Sequence, residues 1–186
     1  MRKVLFLFHD LTDADIEWLA VTGERRTVPK GTTLILEGKP VEELFIVLDG
    51  QLTVLIPSAE KPLMVNALQK GEVIGELSFL DSRPPSATVV AATDAVLLAI
   101  PREKVKAKLA RDVSFAAKFY RSLGVFLADR IRNNTARLGY GSSDSLRLED
   151  STADEIDPQL LDSVSLAAKR FELLLEHIKA GKSASV

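Results

Sequence analysis

The 186-residue chain predicts a mainly β fold with flanking helices, a sandwich or jelly roll. Three observations carry that expectation. Eight short β-rich runs follow one another between residues 27 and 100. Turn residues separate them where a chain must reverse. Hydrophobic spacing in steps of three and four is confined to the two ends of the chain.

At the N-terminal end, Leu11 to Ala20 reads as a short helix that Thr12 caps, with Ile16, Leu19 and Ala20 on its apolar side. The β-rich runs are then Thr27–Val28, Thr33–Leu36, Glu43–Leu48, Leu52–Ile56, Met64–Leu68, Val73–Ile74, Thr88–Ala91 and Ala95–Ile100. Lys30-Gly31, Glu37-Gly38-Lys39-Pro40, Asp49-Gly50 and Lys70-Gly71 punctuate them, and glycine permits the positive φ that such turns demand. After the last run, Pro101 starts a short helix to about Ala110. A longer helix follows from Asp112 to Leu138, with Ala116, Phe119, Tyr120, Leu123, Phe126, Leu127 and Ile131 on one side and Gly124 as its weak point. Residues 139–157 are polar and acidic and read as a linker. Asp157-Pro158 supplies a cap and a first-turn proline for a final helix over 158–181. There Leu160, Val164, Ala167, Phe171, Leu174 and Ile178 form a heptad seam. The expected organisation is thus a β-roll domain with its long helix over 1–138, the linker, and one amphipathic helix.

Composition narrows the function. With 46% hydrophobic and 27% charged residues the chain is globular, and without cysteine it has neither a disulfide framework nor a thiolate metal site. No apolar stretch approaches the roughly 18 residues of a membrane span, and the apolar run after Met1 is interrupted too early for a signal peptide; a cytoplasmic protein is expected. The net charge of −2 argues against a general polyanion binder. The two histidines, His9 and His177, stand near opposite ends in no nucleophile or metal motif, and the β-rich region holds none, which speaks against the metal-dependent cupin type of jelly roll. Glu42 and Glu43 are adjacent, so on a strand they face opposite ways and make no acid–base pair. Neither a catalytic nor a metal site is expected.

The densest signal lies in residues 71–90. Val73 and Ile74 end a strand at Gly75, Glu76 to Leu80 make a short helix, and Ser86 to Val90 alternate like an incoming strand. Gly75, Glu76, Leu77, Ala87 and Thr88 resemble the phosphate-binding cassette of cyclic-nucleotide-binding domains, and the ordered glycines Gly31, Gly38 and Gly50 extend the resemblance over about residues 8–138. It implies a double-stranded β-helix with a long C-terminal helix, similar to the sensor half of the catabolite activator family and to regulatory domains of cyclic-nucleotide-dependent kinases. The implied ligand is cAMP, cGMP or another phosphate-bearing molecule, and Glu76 is the implied acceptor for the ribose 2′-hydroxyl. The bland alternative for Glu76 is an acidic helix-start residue stabilised by the helix dipole. The family arginine that grips the phosphate falls, without gaps, on Pro85, which offers neither a guanidinium nor an amide proton.

Backbone amides around Glu76, Leu77, Ser86 and Ala87 remain for an anion. Arg83, two residues before Pro85, either reaches the phosphate or is a solvated partner of Asp81. Ser86 either donates its hydroxyl or caps the loop. The resemblance also implies a homodimer through the long helix, with Phe119, Leu123 and Phe126 at the contact, against the alternative that this face packs on the β-roll. The final seam either adds contact or covers the pocket. After the long helix, the acidic linker and single helix lack the second helix that a winged helix-turn-helix needs to orient its reader. DNA binding by this chain alone is therefore not expected. Two readings stay open: a non-enzymatic sensor that signals to an unidentified protein partner through its helices, or a scaffold for oligomerisation or protein interaction whose pocket binds no cyclic nucleotide.

Overall fold

A computed structural model describes Phe8 and residues 10–59, 61–139 and 158–183. Helix α1 (Asp13–Thr22) leads into strands β1 (Glu24–Val28), β2 (Thr33–Ile35), β3 (Glu43–Asp49), β4 (Gln51–Ile56), β5 (Leu63–Gln69) and β6 (Val73–Ile74). The short helix α2 (Glu76–Asp81) interrupts the strands before β7 (Thr88–Ala91) and β8 (Ala95–Pro101). Helices α3 (Arg102–Arg111), α4 (Val113–Gly139) and α5 (Pro158–Ser183) follow.

The strands form two antiparallel four-stranded sheets, ordered β1-β8-β3-β6 and β2-β7-β4-β5. All eight predicted runs are strands: β3, β4, β5 and β8 extend by one residue at one or both ends, β6 and β7 match, β2 stops one residue earlier, and β1 gains the most, starting at Glu24 instead of Thr27. The first sheet explains why two runs are apolar without alternation. Along β3, Phe45 and Val47 face the second sheet while Leu44, Ile46 and Leu48 face the helices. Along β8, Leu97 and Ala99 do the former and Leu98 and Ile100 the latter. A strand buried on both faces has no polar side to show.

Between the sheets lies one core, with Val28, Ile35, Leu52, Leu68, Ile74 and Val89. The second core lies on the outer face of the first sheet, where Ile16 and Leu19 of α1 meet Phe115, Phe119 and Leu123 of α4. Thr12 caps α1 as expected. Its hydroxyl accepts from the Asp15 amide at 3.3 Å, and the Asp15 carboxylate accepts from the Thr12 amide at 2.9 Å, a reciprocal capping box. The helix consequently starts after Thr12, two residues later than predicted. Asp15 is itself buried. Burial pushes its carboxyl up, but the Thr12 hydrogen bonds and the Lys118 and Lys108 ammonium groups outweigh it and hold the group below its ordinary range.

Helix α5 folds back on α1. Ala167, Phe171, Leu174 and Ile178 of the predicted seam are buried in the helix-side core, Phe171 meets Phe8 edge-on at 5.7 Å, and Arg170 donates to Asp13 at 3.1 Å and to the Phe8 carbonyl at 3.0 Å. The side chains of Leu160 and Val164, like residues 140–157 of the expected linker, lie outside the described residues.

Removing the Phe171 ring deletes its contacts with Phe8 and the Lys70 ammonium, which lies 5.3 Å from the ring centre. Phe171→Ala is expected to lower unfolding stability by about 3–5 kcal/mol, the range for large-to-small core changes. Urea denaturation measures it, and a loss below about 1 kcal/mol would mean that α5 is not part of the core.

Candidate functional site

The site begins where β6 stops. Gly75 takes φ +87° and stands as the N-cap of α2. A Cβ here would meet the Glu43 carbonyl oxygen at 3.0 Å, so both backbone conformation and space require glycine. The turn sends Glu76 inward, where it is 3% exposed, and leaves Leu77 at the surface. Two contacts hold α2 from behind. Phe79 packs edge-on against Phe119 of α4 at 5.8 Å, and the Arg102 guanidinium lies over the Phe79 ring at 5.7 Å while donating to the Ser82 hydroxyl at 3.3 Å.

A cavity of about 300 Å³ opens in front of α2, at the small end of ligand pockets. Its floor is aliphatic: Ile35, Val54, Leu68, Ile74 and Val89. Its rim is formed by residues 75–78, Asp81 and the 83–87 loop, and by Arg130 from α4. The Pro85 carbonyl accepts the Gly38 amide at 2.9 Å, which ties that loop to the β2–β3 connection.

Six of the seven expected ligand residues therefore meet at one cavity: Gly75, Glu76, Leu77, Arg83, Ser86 and Ala87. Thr88 does not. Alternation along β7 turns Val89 into the core and Thr88 away from it, and the Thr88 hydroxyl accepts the Glu37 amide at 3.2 Å. Arg83 fits the bland alternative, since its side chain is 84% exposed, its Nε lies 3.9 Å from Asp81, and its amide donates to the same carboxylate at 3.0 Å. Pro85 lines the cavity without adding a donor.

The sequence reading missed Arg130. Its Nη1 donates to Glu76 Oε1, an ion pair that joins α2 to α4. Its guanidinium also lies 5.0 Å from the centre of the Phe126 ring, within cation–π range. The available signal was helical spacing: Arg130 follows Phe126 by four residues and so shares its inward face. Burial raises the Glu76 carboxyl above its ordinary value; the Arg130 charge opposes this, nearby Glu72 adds to it, and the balance stays raised.

The long helix also corrects the expected dimer contact. Phe119, Leu123 and Phe126 are buried within the single chain: Phe119 and Leu123 belong to the helix-side core, where Phe79 meets Phe119, and Phe126 lies under the Arg130 guanidinium. Exposed on the opposite side are Tyr120, Val125 and Ile131. The described part of the final seam, Ala167 to Ile178, does not line the cavity either; its buried positions belong to the helix-side core. Among the described residues no group of three His, Cys, Asp or Glu side chains is placed to hold a metal ion, and no helix is long and apolar enough to cross a membrane.

Comparison with known proteins places this geometry among relatives. The family model described as "Cyclic nucleotide-binding domain" matches residues 25–112. The cyclic AMP receptor protein of Thermus thermophilus is 31% identical over 144 residues, 76% of this chain and 64% of that protein. A cAMP-dependent protein kinase regulatory subunit from Aspergillus niger is 32% identical over 78 residues, 42% of this chain and 18% of the subunit. The chain thus spans less than two thirds of either relative. Among solved structures, a cyclic nucleotide-binding domain from Methylobacillus flagellatus superposes with a TM-score of 0.67 at 22% identity, covering 73% of this chain and 80% of that one, a likeness of fold.

The raised Glu76 carboxyl has a consequence for stability. A carboxyl raised in the folded state contributes stability that is fully present below its unfolded value, 4.5, and is lost as pH rises through the folded value. Measured against Glu76→Gln, which does not titrate, the unfolding free energy of the natural chain is expected to fall as pH rises from 4.5 toward neutrality. Urea midpoints at intervals across that range check this, and a difference that stays flat refutes it.

Proposed function

Residues 25–112 belong to the cyclic nucleotide-binding domain family, and from that membership we propose that the chain is a non-enzymatic, cytoplasmic regulatory module. Its cavity takes cAMP, cGMP or another small phosphate-bearing ligand, and occupancy passes to α4 and on to a protein partner. One observation carries the reading: a cavity with an aliphatic floor holds a buried carboxylate from α2 and a guanidinium from α4 in contact. The aliphatic floor suits the apolar faces of a base, the carboxylate suits a sugar hydroxyl, and a guanidinium suits a phosphate. A scaffold with an unused pocket is the competing reading, favoured by Pro85 and by the ion pair already made across the site.

Calorimetric titration with cAMP and with cGMP separates them. Saturable 1:1 heat supports the sensor, and no heat up to millimolar ligand supports the scaffold. On the sensor reading, Pro85→Arg adds one charge-assisted bond at the rim, worth on the order of 1.5–3 kcal/mol. It is expected to tighten cyclic-nucleotide binding about tenfold or more; unchanged affinity would show that position 85 does not face the phosphate.

The module also acts as a homodimer on this reading, through the outer face of α4. Ala117, Tyr120, Gly124, Leu127 and Ile131 are spaced three, four, three and four apart, the period of a two-helix seam. Tyr120 is 49% and Ile131 65% exposed, and open space lies over Gly124, where a second helix approaches without obstruction. Light scattering at tens of micromolar is expected to give a dimer mass that Tyr120→Asp with Ile131→Asp reduces to the monomer. A monomeric natural chain defeats the dimer, and a dimer that survives the double substitution removes it from this face.

A further inference from the structure

Two arginines line the cavity, and their settings differ. The Arg83 side chain is 84% exposed and stands beside Asp81 on the loop. The Arg130 side chain is 21% exposed, lies over the Phe126 ring and reaches Glu76. Among the described residues only its Nη1 bonds to the protein, which leaves the Nε and Nη2 donors of a planar fork for a ligand. A guanidinium that is already desolvated and oriented loses little freedom on binding, and two of its N–H groups match two oxygens of a phosphate. A solvated loop arginine must first be ordered.

We infer that Arg130 is the anion anchor of the cavity: the phosphate of a cyclic nucleotide bonds to the α4 guanidinium, which shares or exchanges its contact with Glu76. The inference rests on the sensor reading above and deepens it by moving the grip on the ligand from the 83–87 loop to the long helix. An anchor on the loop would fix the ligand to an element that bonds to the Gly38 turn and to Asp81. An anchor on α4 connects the ligand to a 27-residue helix, so that binding bears directly on the element that leads out of the domain.

The test is titration calorimetry of the full chain with cAMP and with cGMP, each variant being checked for a cooperative thermal melt. Arg130→Met is expected to weaken binding about ten- to a hundredfold, the range of a charge-assisted hydrogen bond. Arg130→Lys keeps a charge beside Glu76 but loses the fork, and is expected to weaken binding about tenfold; it serves where the methionine variant does not fold. Adding Pro85→Arg to Arg130→Met returns a guanidinium to the rim and is expected to recover more affinity than Pro85→Arg alone adds to the natural chain, an excess that a purely structural role for Arg130 would not show. If the natural chain binds and folded Arg130→Met or Arg130→Lys binds equally well, the anchor is overturned while the sensor reading stands. Loss of binding in Arg83→Ala with none in the Arg130 variants overturns it in the same way. No heat from the natural chain with either nucleotide up to millimolar concentration overturns the cyclic-nucleotide sensor and the anchor with it.

Discussion

The ion pair between Glu76 and Arg130 is the constraint around which the ligand end of the molecule is arranged. A carboxylate 3% exposed cannot stay ionised among aliphatic side chains without a counter-charge. The chain supplies that charge from 54 residues further on. Each partner is held by its own device. Gly75, in the left-handed conformation, turns Glu76 inward; Phe79 and Arg102 fix the rest of α2; the Phe126 ring carries the Arg130 guanidinium. Removing one member of a buried pair typically costs about 3–5 kcal/mol because the other charge is left behind. The register of α4 against the β-roll is therefore specified by charge at one end and by Phe115, Phe119 and Leu123 at the other.

That division recurs in the two cores. The inter-sheet core is built from the strands, with Val41 added from the β2–β3 connection, and sets the shape of the cavity floor, since Ile35, Leu68, Ile74 and Val89 belong to both. The helix-side core gathers α1, α4 and α5 on the outer face of the β1-β8-β3-β6 sheet. Phe79 of α2 is in the helix-side core while Glu76, three residues earlier, lines the cavity. A six-residue helix thus touches both the binding space and the helical layer, which makes it the short mechanical link between them.

Most of the fold was legible from residue order because β structure is written locally. The turn glycines Gly31, Gly38, Gly50 and Gly71 all have positive φ, and strands buried on both faces, such as 43–48 and 95–100, read as unbroken apolar runs. Gly124 did not break α4, since a glycine penalty of about 1 kcal/mol is small against the buried Phe119, Leu123 and Phe126. The site was legible only in its local part. Gly75 to Leu77 and Ser86 to Ala87 lie close together in sequence, whereas the counter-charge on Glu76 comes from a distant helix whose pairing no local pattern encodes. Periodicity identified the apolar face of α4 but not its partner, because the same stripe suits a twin helix or the chain's own sheet; Phe79 decided for the sheet. The α5 seam was ambiguous for the same reason, and Phe8, Asp13 and Lys70, all far from it in sequence, fixed its destination.

The arrangement also determines how a ligand would be felt on the proposed anchoring. A ligand shifts a conformational equilibrium only by the difference between its affinities for the two states. Here the two states differ in what Arg130 bonds: Glu76 alone, or Glu76 and a phosphate together. The aromatic contact between Phe79 and Phe119 lies eleven residues, three helical turns, before Arg130, and being apolar it is indifferent to the charge entering the cavity. On that anchoring a displacement of Arg130 would pivot α4 about the aromatic contact instead of sliding it along the sheet, and the movement would grow toward the end of α4 where Ile131 faces outward.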